Sequence, residues 1–381
     1  MFLDRRVGID GRYAEGELLG IGKYIRILAL RLARKGFKVT IFYSQKPKYK
    51  ILGKNIYSVV LPSKNTYIWE QFLLPKALPK RKIILYHAAG NFGVPLFCPC
   101  PSILTVHDVI PLLKRGYFKN SRFGSFSKLS YYLRLAVSVF RANRIITDSE
   151  FTKKSLVKRL RVEPSRIKVV HLGVSIPRGR KLSKVIRGQY VLNNSGIDDR
   201  KNLPRVVKSF ALVSREFPRL KLVITGENQL LREKLERLTQ KLSISKKIVF
   251  TGYIRESVLW SLIRNASCLC IPSEIEGFGL PVLEGFAANV PVVTSRTSSI
   301  PEVSGKAAIL VNPYSVKEIS QGLRKVLVDK KLRKVLIESG FQQIKKFSWS
   351  KTVGETVKIY KEVLGSEGFF GCHCLKRRKD H

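Results

Sequence analysis

The chain has 381 residues, 44% of them hydrophobic and 10% aromatic, which is typical of a globular protein with two domains. Its 71 Lys and Arg residues against 27 Asp and Glu give a net charge of +44, which attracts nucleic acid, an anionic membrane surface or a phosphorylated substrate. The chain has no apolar run of the roughly 20 residues that span a bilayer, and MFLDRRVGID lacks the layout of a signal peptide. We therefore expect a cytoplasmic protein and not an integral membrane protein.

The first half of the chain alternates apolar runs with helical patterns, as a parallel sheet requires. Helices are predicted from the segment GIGKY to Gly36 and over Phe151–Leu160. Residues 45–80 are rich in Lys, Pro and Tyr, and we predict irregular connections around short strands there. The predicted strands are Arg6–Asp10, Phe37–Ser44, Ile83–His87, Ser102–Val106, Ile145–Asp148 and Ile167–Val170.

Two features follow the first strands and are candidates for function. A glycine-bearing loop, Gly11 to Gly22, lies between the first strand and the first helix, where helix N-termini commonly meet phosphates. Glycine in such a loop also has the simpler explanation of a turn. His107 directly follows the strand Ser102–Val106; a histidine there is more often structural than functional.

From Val109 to Thr147 the chain has no acidic residue. Basic residues alternate there with aromatic ones, a mixture that suits an anionic lipid surface or single-stranded nucleic acid. The apolar residues at helical spacing have the alternative explanation that they form part of the core. These are Leu129, Tyr132, Leu133, Ala136, Val137 and Phe140. The basic residues are Lys114, Arg115, Lys119, Arg122, Lys128 and Arg134.

The second half begins after a linker predicted over residues 175–188. Strands are predicted at Gln189–Asn193, Leu222–Thr225 and Ile248–Thr251, with a helix at Leu230–Leu242. Arg200 and Lys201 follow the first of these strands and a glycine turn, where a cation can neutralise phosphate. In a chain this basic, they are also explained as ordinary surface residues.

The most informative stretch runs from Pro272 to Gly305. Together with the strand before it, this stretch forms a unit of strand, glycine loop, helix and strand. The strand Cys268–Ile271 precedes it, and Pro281 is placed to begin a helix. Glu276 in the loop and Glu284 in the helix lie eight positions apart, so both can face the same crevice. Alternatively, Glu284 only complements the helix dipole and Glu276 is a solvated acid.

The whole stretch resembles the E-x7-E segment of retaining, GT-B fold glycosyltransferases of family 4, the group 1 type that includes mannosyltransferases. The resemblance implies that Glu276 contacts the donor sugar, that Glu284 contacts the nucleotide ribose, and that the backbone of Gly277, Phe278 and Gly279 meets the diphosphate. Asn289 and Lys306 depart from the usual Gly and Asp, at positions that contact no ligand in the family.

Other segments extend the resemblance over roughly residues 5–364. The segment HDVIPLL matches the one in which His107 would approach the donor sugar, so a functional His107 is favoured. Gly20 and Gly22 would lie near the donor diphosphate, and Tyr253 would lie beside the nucleobase. Lys201 would clamp the diphosphate, with Arg200 the less certain partner.

The implied architecture is α/β, with two Rossmann-like domains facing a cleft and a C-terminal helix that crosses back to the first domain. The expected parts are an acceptor domain (1–174), a linker (175–188), a nucleotide-sugar domain (189–345), a crossing helix (346–364) and a basic tail (365–381). The implied reaction moves a hexose, with mannose favoured, from a nucleotide-diphosphate sugar to a saccharide or polyprenyl-linked acceptor with retention of configuration. No cofactor is expected, since the nucleotide sugar is a substrate.

No metal site is predicted, because no D-x-D pair stands out and the cysteine spacing in Cys372-His373-Cys374 is not the C-x2-C form usual for zinc. Residues 1–188 carry 38 basic and 9 acidic residues, a net charge of +29, and the remainder carries +15. We therefore expect a peripheral position on the anionic inner face of the cell membrane and no nucleic-acid partner. The alternatives are a basic nucleic-acid-binding protein, which lacks a recognised motif here, and a non-catalytic relative that binds a nucleotide sugar.

Overall fold

The computed structural model describes residues 5–17, 20–114, 117, 124–175 and 185–366. The described chain divides into two compact units, residues 5–171 with 350–366 and residues 172–349. Most of the predicted linker and nearly all of the predicted tail lie outside the described residues. So do three of the basic residues named above, Arg115, Lys119 and Arg122, and the Cys372-His373-Cys374 segment.

The first unit is built on a seven-stranded parallel sheet with the strand order β3-β2-β1-β4-β5-β6-β7. Its strands are β1 Arg6–Asp10, β2 Lys38–Tyr43, β3 Ile56–Val60, β4 Leu85–Ala88, β5 Ser102–Val106, β6 Arg144–Thr147 and β7 Ile167–Val169. The central strands β4 and β5 are buried along their whole length, which explains their continuous apolar runs.

Helices cover this sheet. They are α1 Ile21–Arg34, α2 Thr66–Ile68, α3 Leu74–Lys80, α4 Ile110–Leu113, α5 Gly124–Arg141 and α6 Glu150–Leu160. The C-terminal helix α14, Trp349–Ser366, also belongs mainly to this unit, as predicted. There Tyr360 forms a hydrogen bond with His87 (2.7 Å), and the Thr352 hydroxyl donates to the His171 carbonyl (2.7 Å).

The prediction of irregular structure over residues 45–80 is wrong for residues 66–80, which are helical and include a π-helical turn at Trp69–Leu73. Leu74, Ala77 and Leu78 are buried at helical spacing. Pro75 and Pro79 both lie inside this continuous helical segment, Pro75 just after the π-helical turn. The two prolines made this segment look irregular in the sequence. The helix forms because its apolar face is buried.

The second unit has a six-stranded parallel sheet with the order β10-β9-β8-β11-β12-β13. Its strands are β8 Tyr190–Asn193, β9 Lys221–Ile224, β10 Ile248–Phe250, β11 Cys268–Ile271, β12 Val292–Ser295 and β13 Ile309–Val311. Its helices are α7 Leu203–Glu216, α8 Gln229–Lys241, α9 Glu256–Asn265, α10 Leu280–Ala287, α11 Ile300–Ser304, α12 Val316–Val328 and α13 Lys330–Ile344. Cys268 and Cys270 are fully buried, as core residues of β11.

Both sheets have a point where the strand order reverses, between β1 and β4 in the first unit and between β8 and β11 in the second. In open parallel sheets, ligands bind beyond the carboxyl ends of the strands at this point. Among the described residues, no helix is both long enough and apolar enough to cross a membrane.

Candidate functional site

The loop that joins β11 to α10 is held in one conformation by hydrogen bonds and by a glycine. Gly279 has φ +109°, and a Cβ there would lie 2.7 Å from the Ile300 side chain, so only glycine fits. The Ser299 hydroxyl donates to the carbonyl oxygens of Glu276 and Phe278, both at 2.9 Å. The Glu276 N–H donates to the Ser298 hydroxyl (3.0 Å). The loop therefore presents Glu276 in a fixed position.

Glu276 lies between two cations. Its carboxylate is 2.6 Å from Lys201 Nζ and 2.8 Å from an Arg200 guanidinium nitrogen. Glu276 and Lys201 are buried, whereas about a quarter of the Arg200 side chain is exposed. Burial raises the pKa of the Glu276 carboxyl, but Lys201 and Arg200 outweigh it and hold the pKa below its ordinary value. Glu276 is therefore a carboxylate at neutral pH.

The turn after β8 places these cations. The Asp198 side chain accepts a hydrogen bond from the Arg200 N–H (2.9 Å) and begins a short 3-10 turn. Asn202 then has φ +60°, a conformation that Asn tolerates, and its side-chain amide donates to the carbonyl oxygens of Pro272 (3.0 Å) and Pro313 (2.5 Å). Asn202 thereby links the turn to the end of β11. This link brings Arg200 and Lys201 into contact with Glu276, which lies 76 and 75 positions further along the chain.

Glu284 lies at the same edge of the sheet. It is on α10, and its carboxylate accepts a hydrogen bond from the side-chain amide of Asn194, the residue that follows β8 (2.8 Å). Tyr253 follows β10 and is about half exposed, 52%. The structure thus brings Glu276, Arg200 and Lys201 into direct contact and places Glu284 and Tyr253 after strands of the same sheet.

In the first unit, the predicted glycines lie at the start of α1. Gly20 precedes the helix with φ +48°. A Cβ on Gly22 would lie 2.6 Å from the Tyr13 carbonyl oxygen, so a side chain would push the helix away from the preceding loop. These glycines allow close approach of the chain to itself and leave the first N–H groups of α1 at the carboxyl side of β1.

His107 follows β5 and is buried among partners of its own unit. Its Nδ1 is 2.7 Å from the Asp148 carboxylate, and its Nε2 is 3.2 Å from the Ala89 carbonyl oxygen. The Asp148 carboxylate beside Nδ1 favours the charged, imidazolium form of the ring. Burial lowers the pKa of His107, but Asp148 outweighs burial and the pKa lies above its ordinary value.

Two family profiles match this chain and together cover most of it. The profile described as "Glycosyl transferases group 1" matches residues 181–343, and the one described as "Glycosyltransferase Family 4" matches residues 19–178. The chain belongs to the group 1, family 4 glycosyltransferases.

Individual relatives of this glycosyltransferase agree with the family. It is 29% identical over 300 residues to the O-antigen chain mannosyltransferase B of Escherichia coli, covering 75% of this chain and 76% of that protein. Sucrose-phosphate synthase of Thermosynechococcus elongatus has the same fold, with a TM-score of 0.77 at 16% identity over 95% of this chain and 100% of that one. Anabaena HepE, solved with UDP and glucose, matches with a TM-score of 0.76 at 15% identity over 94% and 100%.

Several features of this glycosyltransferase could not be found from sequence. The pairing of His107 with Asp148 and the contact of Glu284 with Asn194 join distant strands. The TSS run after β12 was visible in the sequence, but only the structure shows that Ser298 and Ser299 fix the Glu276 loop.

Among the described residues, no group of three His, Cys, Asp or Glu side chains is arranged to hold a metal ion.

A buried ion cluster of the first unit was also missed. Asp10, the last residue of β1, accepts from Arg12 (2.6 Å), which is also 2.8 Å from Glu70. Glu70 in turn pairs with Arg134 of α5 (2.5 Å). The Arg12 guanidinium lies 4.1 Å from the Trp69 ring centroid. The cluster ties β1, the π-helical turn and α5 together at the carboxyl end of the sheet.

Proposed function

We propose that this glycosyltransferase moves a hexose, with mannose favoured, from a nucleotide-diphosphate sugar to a saccharide or polyprenyl-linked acceptor. Configuration is retained, and neither a metal ion nor a cofactor takes part. The observation that carries the proposal is the buried Glu276 carboxylate between Lys201 and Arg200, beyond the carboxyl end of β11. Two preorganised cations and one carboxylate are what departure of a diphosphate from a sugar needs.

The cations have the larger role in the proposed reaction. Negative charge develops on the diphosphate as the glycosidic bond loosens, and Lys201 and Arg200 would stabilise that charge without reorganisation. The backbone N–H groups at the start of α10, beside Gly279, would add to this stabilisation. Cations in these positions perform the work that a divalent metal performs in other phosphate sites, which supports a metal-independent reaction.

The role of Glu276 follows from its ionised state. A carboxylate whose pKa is depressed does not donate a proton, so Glu276 would orient the donor sugar through hydrogen bonds and stabilise positive charge on the sugar ring. Front-face attack by the acceptor would then give retention of configuration, as would the alternative route through a covalent glycosyl-enzyme on Glu276. Glu284, held by Asn194, would contact the ribose, and the exposed Tyr253 would lie beside the nucleobase.

The roles of His107, Gly20 and Gly22 rest on the resemblance to the family. For His107, a contact with the donor sugar would come from Nε2, whose present partner is the Ala89 carbonyl (3.2 Å). An imidazolium there would add a positive charge beside the leaving group. For Gly20 and Gly22, the start of α1 offers N–H groups to a phosphate.

The choice of substrate rests on the relatives. The O-antigen chain mannosyltransferase B supports mannose as the sugar and a cell-envelope saccharide as the acceptor. The HepE structure with UDP and glucose supports a nucleoside diphosphate as the leaving group.

Attachment to an anionic membrane surface is supported by α5. Four of the six apolar residues that might have formed core along this helix are exposed, Ala136 and Val137 are half-buried, and Leu135 and Val139 face the core. The exposed apolar residues are Leu129, Tyr132, Leu133 and Phe140, at 42–55% exposure. Lys128 adjoins Leu129 in this helix and Lys114 precedes the helix in the chain, so the segment combines apolar and basic residues as interfacial helices do.

The test of the proposed reaction is a screen of purified protein against nucleotide sugars, read by thermal stabilisation and by transfer to saccharide acceptors. We expect stabilisation by one nucleoside diphosphate, an α-linked product from an α-linked donor in NMR spectra, and full activity in EDTA. An inverted product, or a strict need for Mg²⁺ or Mn²⁺, would contradict the mechanism. Binding of a nucleotide sugar without transfer or hydrolysis would support the non-catalytic alternative.

Attachment is tested by sedimentation with vesicles at low and high salt. We expect binding to anionic vesicles at low salt and release at high salt, because exposed charges are screened beyond about 8–10 Å. Leu129→Gln with Leu133→Gln should weaken attachment and leave donor binding unchanged. Equal binding to neutral vesicles, or binding to RNA alone, would contradict the membrane proposal.

A further inference from the structure

A basic cavity lies in the first unit, at the amino-terminal ends of β1 and β2. Its volume is about 420 Å³, within the range of about 300–1,000 Å³ typical of small-molecule sites. It is lined by Arg6, Lys38, Thr40, Tyr57, Ser58, Val59, Lys80, Arg81 and Lys82. Five of these nine residues are basic and none is acidic, so the cavity differs from the largely apolar pockets that hold neutral ligands.

The register of the sheet explains why the charges converge. Arg6 is opposite Lys38 in the parallel pair β1–β2, and both lie on the face that α3 covers, because Gly8 on that face packs against Leu78. Like charges directly opposite each other in a sheet are destabilising. An anion bound between Arg6 and Lys38 would therefore contact two basic side chains that the register places next to each other.

The end of α3 supplies the other wall. Lys80 is the last residue of the helix, and Arg81 and Lys82 form the turn that follows. The N–H groups of Arg81 and Lys82 already donate to the carbonyl oxygens of Ala77 (3.1 Å) and Pro79 (2.8 Å). An anion in this cavity would therefore be held by cationic side chains.

The other lining residues add hydrogen bonding and an aromatic surface. Thr40 is buried, and Tyr57, its register partner on β3, is 52% exposed. Arginine forks and lysine ammonium groups together match the geometry and charge of phosphate oxygens. The cavity therefore suits a compact anion that carries several charges.

We propose that this cavity binds a multiply charged phosphate group, of the diphosphate type, at a site separate from the candidate donor site. The donor site belongs to the second unit, and the ligand edge of the first sheet is at the carboxyl ends of its strands, roughly 15 Å along a five-residue strand from the cavity. The proposal does not depend on the proposed reaction. The phosphate could belong to a soluble metabolite or to a lipid headgroup, which the experiment distinguishes.

The experiment measures protection of lysine side chains from acetylation by an amine-reactive reagent, quantified by peptide mass spectrometry. Inorganic pyrophosphate at about 150 mM salt should protect Lys38, Lys80 and Lys82. The exposed Lys154 and Lys158 of α6 are the internal controls, because they belong to the same unit and carry the same charge. Protection of all five lysines to the same degree, or of none by any phosphate tested, would overturn the proposal.

Variants and vesicles complete the test. Lys38→Ala with Lys82→Ala should raise the pyrophosphate concentration that half-protects Lys80 by at least about tenfold, whereas Lys154→Ala with Lys158→Ala should leave it unchanged. An equal effect of the two double variants would refute a specific site. Protection by soluble pyrophosphate assigns a soluble phosphate ligand; protection only by vesicles that contain phosphatidate assigns a headgroup.

Discussion

Replacing Glu276 with Gln separates the role of the carboxylate in transfer from its role in holding the cations. Gln keeps the shape and can accept one hydrogen bond, but it removes the charge that pairs with Lys201 (2.6 Å) and Arg200 (2.8 Å). Removing one partner of a fully buried pair costs about 3–5 kcal/mol. Here Arg200 is partly exposed and Gln retains a hydrogen bond, so we expect a loss of about 1–3 kcal/mol in the free energy of unfolding.

The effect on transfer should be larger than the effect on stability. Loss of one preorganised charged group from the reacting centre lowers turnover by about 100-fold to 1,000-fold. Binding of the nucleoside diphosphate should be unchanged or tighter, because Lys201 and Arg200 no longer share their charge with Glu276. Initial rates at saturating donor and calorimetry with UDP and GDP measure the two quantities.

Glu274→Gln is the matched control. Glu274 lies two residues earlier in the same loop, and its carboxylate pairs with Arg205 (3.0 Å). The same change of charge there should lower turnover by less than about threefold. Turnover of Glu276→Gln within a few fold of wild type would refute the assigned role. A parallel loss of nucleotide affinity would show instead that Glu276 contributes to nucleotide binding.

Two further predictions concern the diphosphate and pH. Lys201→Ala should weaken binding of the nucleoside diphosphate by about 1.5–3 kcal/mol in calorimetry, whereas Lys208→Ala, an exposed change on α7, should not; equal affinities would place the phosphates elsewhere. Burial and the nearby His107 lower the pKa of His87 to about 3, below its unfolded value of about 6.5, so its contribution to stability is complete above pH 6.5 and is lost as pH falls toward 3. His107 has the opposite sign: its raised pKa stabilises the fold at low pH, and this contribution is lost as pH rises through that pKa. Denaturant unfolding between pH 4 and 8 should therefore show less acid destabilisation in His87→Gln than in wild type, and an unchanged pH profile would contradict the buried neutral state of His87.

The fold followed from sequence where burial is complete and the pattern is local. The predicted strands Ser102–Val106 and Cys268–Ile271 have the same bounds in the structure, because strands buried on both faces are continuous apolar runs between turn residues. The glycine loop before α10 was also predictable, since Gly279 and Pro281 have strong conformational preferences. The helical segment 66–80 was missed because its prolines suggested loops, although Leu74, Ala77 and Leu78 had helical spacing.

The candidate site was predictable in its membership but not in its pairing. The sequence assigned Glu276 to the donor sugar and Lys201 with Arg200 to the diphosphate, and the structure shows all three in one ion cluster across 75 residues of chain. That contact depends on Asn202, whose amide links the turn to Pro272 and Pro313. No local pattern encodes it. The same holds for the Asp10, Arg12, Glu70 and Arg134 cluster, whose members come from three separate segments.

The buried cations beside Glu276 and the exposed cations of the first unit should respond differently to salt. Lys201 is buried against Glu276, so salt screens its charge poorly. Lys38, Lys80 and Lys82 of the basic cavity are exposed, as are Leu129, Tyr132, Leu133 and Phe140 of α5. The net charge of +29 on residues 1–188 therefore acts mainly through screened, exposed groups. Increasing the ionic strength from about 0.05 M to 0.5 M should weaken attachment to anionic surfaces long before it weakens binding of the nucleotide sugar, because the Debye length falls from about 14 Å to about 4 Å over this range. If both were lost at the same salt concentration, the donor would be held by exposed charges, and the buried cluster around Glu276 could not be its binding site.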